Sequence, residues 1–341
     1  MNYTIPHPNG AGVMRATNGL AEGGEGFPSV LQVVPKIGLA LSGGGARGLA
    51  HVGVLQVLEE ENIPIAAVAG TSMGAYVGSL FAAGLDTAKL VDLAKEIHNR
   101  KALLRLMDPI FPPSAGLIRG DKIRRHLERS LGSVTFEELK RPLLVIATDL
   151  DTMQAHVFDH GSVAQAVHAS AAIPGVCAPV LLDGRRYTDG GAADPLPVTT
   201  LRERFHLDAV IAINVLPTND DILRSRDTSF SPSKKRPGLF ARMTHPINLL
   251  AYGNVMDTFR RALMCAQVQL VEKEMRHAEI VIHPFHHGST WFDFENYERY
   301  IETGRLAALA ALPDIRSLLS NPNPMHHETL VQHSGVGRHA A

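Results

Sequence analysis

From Ile63 to Leu85 the chain carries no charged side chain, yet Gly70-Thr71-Ser72-Met73-Gly74 breaks the run near its centre. An unbroken apolar run of that length would read as a membrane span. Here Pro64 at the start, the polar break and the abundance of Ala and Gly favour two shorter elements. Ile65 to Ala69 reads as a buried strand. Beyond the break, Met73, Val77, Leu80 and Phe81 recur at helical spacing. Gly84 stands where a helix end favours positive φ. The stretch predicts strand, sharp turn and helix, with Ser72 at the apex between two glycines. That is the nucleophile-elbow arrangement, in which the glycines permit a tight turn and leave the serine Oγ open. A serine at a helix start also sees N–H groups and a dipole that favour negative charge. A G-x-S-x-G match is common by chance, so the elbow needs support from elsewhere.

A second glycine-rich turn precedes it. Lys36 to Leu41 reads as a short buried strand, Ser42-Gly-Gly-Gly-Ala-Arg-Gly48 as a turn, and Leu49 to Glu60 as a helix with Leu49, Val52, Leu55 and Leu58 on its apolar face. Gly43-x-Gly45-x-x-Gly48 fits a dinucleotide-binding fingerprint, which makes a nicotinamide or flavin enzyme a competing reading. The acidic residue that should follow about 20 positions on to hold the ribose is absent, and the serine elbow occupies its place. A nucleotide P-loop fails because no Gly-Lys-Ser/Thr follows. Three bare glycine amides at a helix start suit an oxyanion, for which each well-aimed donor is worth about 3 kcal/mol. A tight packing turn is the plainer alternative.

Further along, Asp86 caps a helix carrying Leu90, Leu93, Ala94 and Ile97. Residues 101 to 120 are irregular, apolar and proline-broken, and read either as a lid facing lipid or as an ordinary packed loop. Asp121 to Leu131 is an amphipathic helix with Ile123 and Leu127 inward and Arg124, Arg125 and Arg129 outward. Thr135-x-x-Glu138 is a capping box on a short helix, and Pro142 to Thr148 is a third buried strand. Ser162 caps a helix that stops before Pro174. Val180 to Tyr187 is a hairpin with an Asp-Gly turn, and Ala209 to Val215 is a fourth buried strand. Residues 217 to 245 read as a flexible insertion, Ile247 to Arg276 as helix, Glu279 to His283 as strand and Glu295 to Leu312 as helix. The expected division is a flexible arm at 1–34, a domain at 35–320 with a helical part from 246, and a disordered tail at 321–341.

A serine nucleophile needs a base. Seventeen histidines offer many candidates. His51 and His98 fall on helices and His283, His286 and His287 near a strand end, none of them in a recognisable triad context. Asp189 is better placed: it follows the hairpin, lies among small residues and leads into Gly190-Gly191. A buried carboxylate facing Oγ can take its proton, which gives a Ser–Asp pair without histidine.

Taken together, Gly43-Gly-Gly-Ala-Arg-Gly48, Gly70-x-Ser72-x-Gly74, Ala169-Ser-x-x-x-Pro174 and Asp189-Gly-Gly191 resemble, in order and spacing, the pattern of the patatin-like phospholipase family, most of all its compact bacterial members. The resemblance covers residues 36 to 216. It implies an α/β protein with a three-layer α/β/α fold around a mostly parallel sheet. It implies an acyl hydrolase with Ser72 as nucleophile, Asp189 as base, and an oxyanion hole of Gly43, Gly44 and Gly45 shaped by Arg47. Gly70, Gly74, Gly190 and Gly191 support these turns. One departure is Asp194-Pro195-Leu196-Pro197, where many relatives place Asn before the Pro-Leu-Pro. The substrate implied is a fatty-acyl ester of a phospholipid or lysophospholipid, with no cofactor and no metal. An acyltransferase on the same pair and a non-catalytic lipid-binding protein remain alternatives, with the nicotinamide enzyme a distant third.

The formal net charge of −1 and the lack of a long basic run give no sign of a nucleic-acid partner. Cys177 and Cys265 make no disulfide framework and suit a reducing compartment. With no signal peptide pattern, the expected location is cytoplasmic, with peripheral membrane contact an added option and export without a cleavable signal still open. Oligomeric state is not encoded in any feature of the chain.

Overall fold

A computed structural model describes residues 35–98, 105, 107–112, 115–227 and 255–320. The expected arm, the tail, most of the 217–245 insertion and the first residues of the helix expected from Ile247 lie outside the described residues. In chain order the elements are β1 (Ile37–Leu41), α1 (Ala50–Glu60), β2 (Ile65–Thr71), α2 (Met73–Ala82), α3 (Thr87–Glu96) and α4 (Asp121–Leu131). Then come β3 (Leu143–Asp149), β4 (Gln154–Phe158), α5 (Val163–Ser170), β5 (Val180–Leu182), β6 (Arg185–Asp189), α6 (Val198–Arg204) and β7 (Ala209–Ile213). The remainder is α7 (Asn219–Asp227), α8 (Val255–Met275), β8 (Ile280–Ile282) and α9 (Tyr297–Ser320).

The sheet is parallel through β8-β7-β1-β2-β3 and turns antiparallel where β4, β6 and β5 join. Alternate residues of the parallel strands feed two separate cores, as the two-residue strand period requires. Leu39, Leu41, Val68, Val145 and Ile211 pack with α1, α2, α3, α5 and α9. Ala40, Ala69, Ile146 and Ala212 pack on the other face with Val198 and Leu201 of α6 and Val271 of α8. Three layers result. Small residues on the second face let α6 lie close, and a Cβ on Gly38 would already meet Leu207 and Leu201.

The local expectations meet the structure at several caps. The Asp86 carboxylate accepts from the Lys89 N–H at 2.8 Å, and the Thr135–Glu138 box forms, although over a single 3-10 turn. The Asp183-Gly184 turn takes the two positive φ values of 50° and 78° that its hairpin needs. Two expectations are corrected, and one strand, β4, was not expected. The segment expected to be a flexible insertion from 217 begins with α7, held by the Thr218 N–H to the Asp221 carboxylate at 2.8 Å. β4 follows β3 directly. The last helix runs past Leu312 to Ser320, through Pro313, whose missing N–H affects only the carbonyl of Leu309 on the exposed side.

The edge of β3 brings Ser72 and Asp189 together. Along a single edge of β3, β2 pairs with Leu143–Ile146 and β6 takes over at Ala147–Asp149. Thr71 is opposite Ile146 and Asp189 opposite Ala147. Two strands that run in opposite directions therefore end against each other, and Ser72 leaves one at the point where Asp189 closes the other.

Candidate active site

Ser72 links β2 to α2 with φ 55° and ψ −119°, a backbone conformation that a non-glycine residue holds only when its surroundings enforce it. The enforcement is visible. A Cβ on Gly70 would come within 2.5 Å of the Gly74 carbonyl, and one on Gly74 within 2.3 Å of the Leu41 carbonyl, so the turn closes only with glycine on both sides. The Ser72 N–H donates to Ser170 Oγ at 2.8 Å, and Ser170 in turn donates to the Ile146 carbonyl at 2.5 Å. The Thr71 hydroxyl donates to the Asp194 carbonyl at 2.8 Å. The elbow is thus fastened to β3, to α5 and to the segment after β6.

Ser72 Oγ donates to Asp189 Oδ2 at 2.6 Å, with both residues buried. The other carboxylate oxygen accepts from the Gly191 N–H at 2.8 Å, and the Asp189 carbonyl accepts from Thr148 Oγ1 at 2.9 Å. Burial pushes the Asp189 carboxyl up from 3.8 to about 6, while the bonds from Ser72 and Gly191 pull the other way. An ionised Asp189 at neutral pH is therefore a stronger base than a surface carboxylate. Histidine takes no part in this contact: His51 is fully buried, directs Nε2 to the Ser42 carbonyl at 2.9 Å, and is driven down to about 4 by burial.

The glycine loop lies beside Ser72, and a Cβ on Gly43 would be 3.4 Å from Ser72 Cβ. Its three amides are not equivalent. The Gly43 N–H donates to the Pro195 carbonyl at 3.0 Å and is engaged, contrary to its expected role as a donor. The Ala46 N–H donates to the Trp291 carbonyl at 2.7 Å. Among the described residues nothing accepts from Gly44 or Gly45, which line the same cleft as Ser72 and Asp189. Arg47 extends away from the loop to hold the chain near the C-terminal helix. Its Nε donates to Ser289 Oγ at 3.0 Å and Nη2 to the Ser289 carbonyl at 2.8 Å, with burial lowering its pKa. That contact braces the 285–292 segment, from which Trp291 reaches the loop.

The cleft has a volume of about 590 Å³. Leu117 and Ile118 form part of its wall, tied down by their N–H groups to the Val176 carbonyl at 2.9 and 3.0 Å, so this end of the 101–120 segment is a packed loop. α8 supplies Phe259, Leu263, Met264 and Gln267, the last donating to the Gly191 carbonyl at 3.1 Å. No sequence feature marked Gln267, Trp291 or the α8 wall. Ser170 lies in the Ala169-Ser-x-x-x-Pro174 motif, although its hold on the Ser72 amide was not legible there.

Residues 39–202 match the family model of the patatin-like phospholipases. That stretch, just under half of the chain, is a patatin-like phospholipase domain. The chain is 42% identical over 182 residues to an NTE family protein of Mycobacterium tuberculosis, covering 53% of this chain and 49% of that one. It is 32% identical over 187 residues to lysophospholipase NTE1 of Pyricularia oryzae, covering 54% of this chain but 12% of the fungal protein. The chain thus spans half or less of these relatives. Among solved structures, VipD from Legionella pneumophila aligns over 82% of this chain and 67% of its own, with 16% identity and a TM-score of 0.45. In the patatin-like domain no helix among the described residues is long and apolar enough to cross a membrane, and no group of His, Cys, Asp and Glu is gathered as a metal would need.

Proposed function

We propose that the patatin-like domain hydrolyses fatty-acyl esters of phospholipids or lysophospholipids through an acyl-enzyme on Ser72. The observation that carries this reading is the buried 2.6 Å contact from Ser72 Oγ to Asp189 Oδ2. In the first step Asp189 takes the hydroxyl proton as Oγ attacks the ester carbonyl. The Gly44 and Gly45 amides receive the oxyanion, where each donor contributes about 3 kcal/mol. Gly43 is a positioning residue here, its amide held by Pro195. The protonated Asp189 then delivers the proton to the departing alcohol oxygen. In the second step Asp189 draws a proton from water, the hydroxide adds to the acyl carbonyl, and collapse returns the proton to Ser72 and releases the fatty acid. The apolar walls from Leu117, Ile118 and α8 suit a hydrocarbon substrate, and the relative named as a lysophospholipase supports this substrate class.

The test is labelling with a fluorophosphonate and mapping of the adduct by mass spectrometry, alongside ester hydrolysis by wild type, Ser72→Ala and Asp189→Asn. Labelling of Ser72 with hydrolysis lost in both folded variants is the expected result. Full activity in Ser72→Ala would sink the reading. Labelling without release of free acid, but with transfer to an added alcohol, would replace the hydrolase by an acyltransferase.

A further inference from the structure

A second hollow, of about 720 Å³, adjoins the Ser72 cleft and shares Pro174, Ala192, Phe259 and Leu263 with it. The rest of its lining comes from Ala115, the ends of β3, β4 and β6 with the turn between β3 and β4, the 174–179 loop and α8, and includes no Asp, Glu, Lys, Arg or His. The Ser72 cleft differs, since Arg47, Asp257, Arg260 and Arg261 stand in its walls. Charge is thus confined to one hollow and the neighbouring groove is free of it.

The turn between β3 and β4 places Met153 in this groove. Met153 is 79% exposed and has a φ of 59°. The turn closes without its side chain. Asp149 Oδ1 accepts the Asp151 and Thr152 N–H groups at 2.8 and 3.1 Å, and the Met153 N–H donates to the Asp149 carbonyl at 2.9 Å. A left-handed position beside a strand is least strained with Gly or Asn. A long thioether chain there is unfavourable for the backbone and, left in water, gains nothing from packing. Phe259 faces the same groove and is 48% exposed. A strained, exposed apolar residue over an uncharged groove is accounted for by a ligand that covers it.

We propose that this groove is the acyl-chain subsite: with the ester carbonyl at Ser72, the distal methylenes of a long acyl chain lie along α8 and beneath Met153, so that long-chain esters are selected over short ones. The inference rests on the acyl-hydrolase reading, and the experiment separates the two. kcat/KM is measured for p-nitrophenyl butyrate, octanoate, dodecanoate and tetradecanoate, each below its critical micelle concentration. Met153→Asn suits the left-handed backbone, and Ala155→Asp sets a carboxylate in the groove from the exposed side of β4. For wild type, kcat/KM rises by about fourfold for each methylene that the groove buries. Both variants keep wild-type activity on butyrate and lose about tenfold or more on tetradecanoate. Met153→Asn melts no lower than wild type. Equal losses on butyrate and tetradecanoate, or no loss on either, overturn the subsite. If wild type hydrolyses none of the four esters, the hydrolase reading fails and the groove is judged by titration with pyrene-labelled dodecanoate. Weaker binding by Met153→Asn then supports the subsite, and unchanged binding overturns it. A dimer in light scattering that Met153→Asn dissociates, with tetradecanoate activity unchanged, also overturns it, because a second copy would then be what covers the groove.

Discussion

Replacing Asp189 by Asn removes a charge and almost no volume from the buried end of β6. In the wild type, burial holds the carboxyl at about 6 against an ordinary value of 3.8, so the folded state binds this proton more tightly than the unfolded chain does. As pH rises from about 4 to 6 the unfolded chain releases the proton first, and stability falls across that window and stays lower above it. At about 1.4 kcal/mol per pKa unit, the interval from 3.8 to about 6 costs the wild type about 3 kcal/mol at neutral pH. Asn carries no such cost. Its Oδ1 still accepts from the Gly191 N–H, and its amide NH2 donates to Ser72 Oγ once the hydroxyl turns away. Urea unfolding of both proteins at pH about 4 and pH about 8 reads the difference. The Asn variant should gain about 2–3 kcal/mol on wild type between the two, with ester hydrolysis lost throughout. For wild type, kcat/KM should climb as pH passes about 6, where the base ionises. A stability difference that is the same at both pH values would refute the reasoning, because it would mean that Asp189 is not a carboxylate ionised at the expense of the fold.

The same sign applies at Asp194, whose carboxyl burial also raises to about 6, with Thr200 Oγ1 on one oxygen at 2.7 Å and nothing on the other; Asp194→Asn should melt higher than wild type at pH about 8, equal it at pH about 4, and remain active, as thermal melts and an esterase assay would show. Ser170→Ala strips the acceptor from the Ser72 N–H and the donor from the Ile146 carbonyl, so denaturant unfolding should register a loss of about 1–3 kcal/mol, with kcat falling more than KM changes. Gly45→Ala would set a Cβ 2.2 Å from the Trp291 carbonyl at a φ of 60°, displacing a donor from the oxyanion; steady-state kinetics should show kcat down by about 100- to 1,000-fold, and undiminished kcat would remove Gly45 from that role.

Much of the domain was legible because its strands are buried on both faces and its turns demand particular residues. Val68, Val145 and Ile211 announce buried strands wherever they pair, and Gly70 and Gly74 announce a turn that no other residue could close. What stayed hidden depends on distant parts of the chain. α8 is expected as a helix from its own pattern, but one side of it walls a cleft and much of the rest is exposed, so nothing local marks Phe259 or Gln267 as neighbours of Ser72. β4 alternates weakly, with Gln154 and Ala155 both exposed, and is defined by its pairing to β3 rather than by its residues.

The three loop glycines illustrate the limit best. In the sequence they are interchangeable; all three line the cleft, and only the Pro195 carbonyl, more than half the domain away, decides that the Gly43 amide is engaged while nothing among the described residues accepts from Gly44 or Gly45. The short segment from Asp189 to Pro195 therefore acts on every part of the site. It supplies the carboxylate at Ser72, grips the Thr71 hydroxyl through the Asp194 carbonyl, and takes the Gly43 amide through Pro195. Ser72, Asp189 and the glycine loop are held together by one stretch of backbone whose position follows from β6 continuing the edge that β2 leaves on β3. A shift of that stretch would move all three together, so substitutions behind Asp189 should be read by their effect on kcat with short and long esters alike, whereas substitutions in the Met153 groove should separate the two.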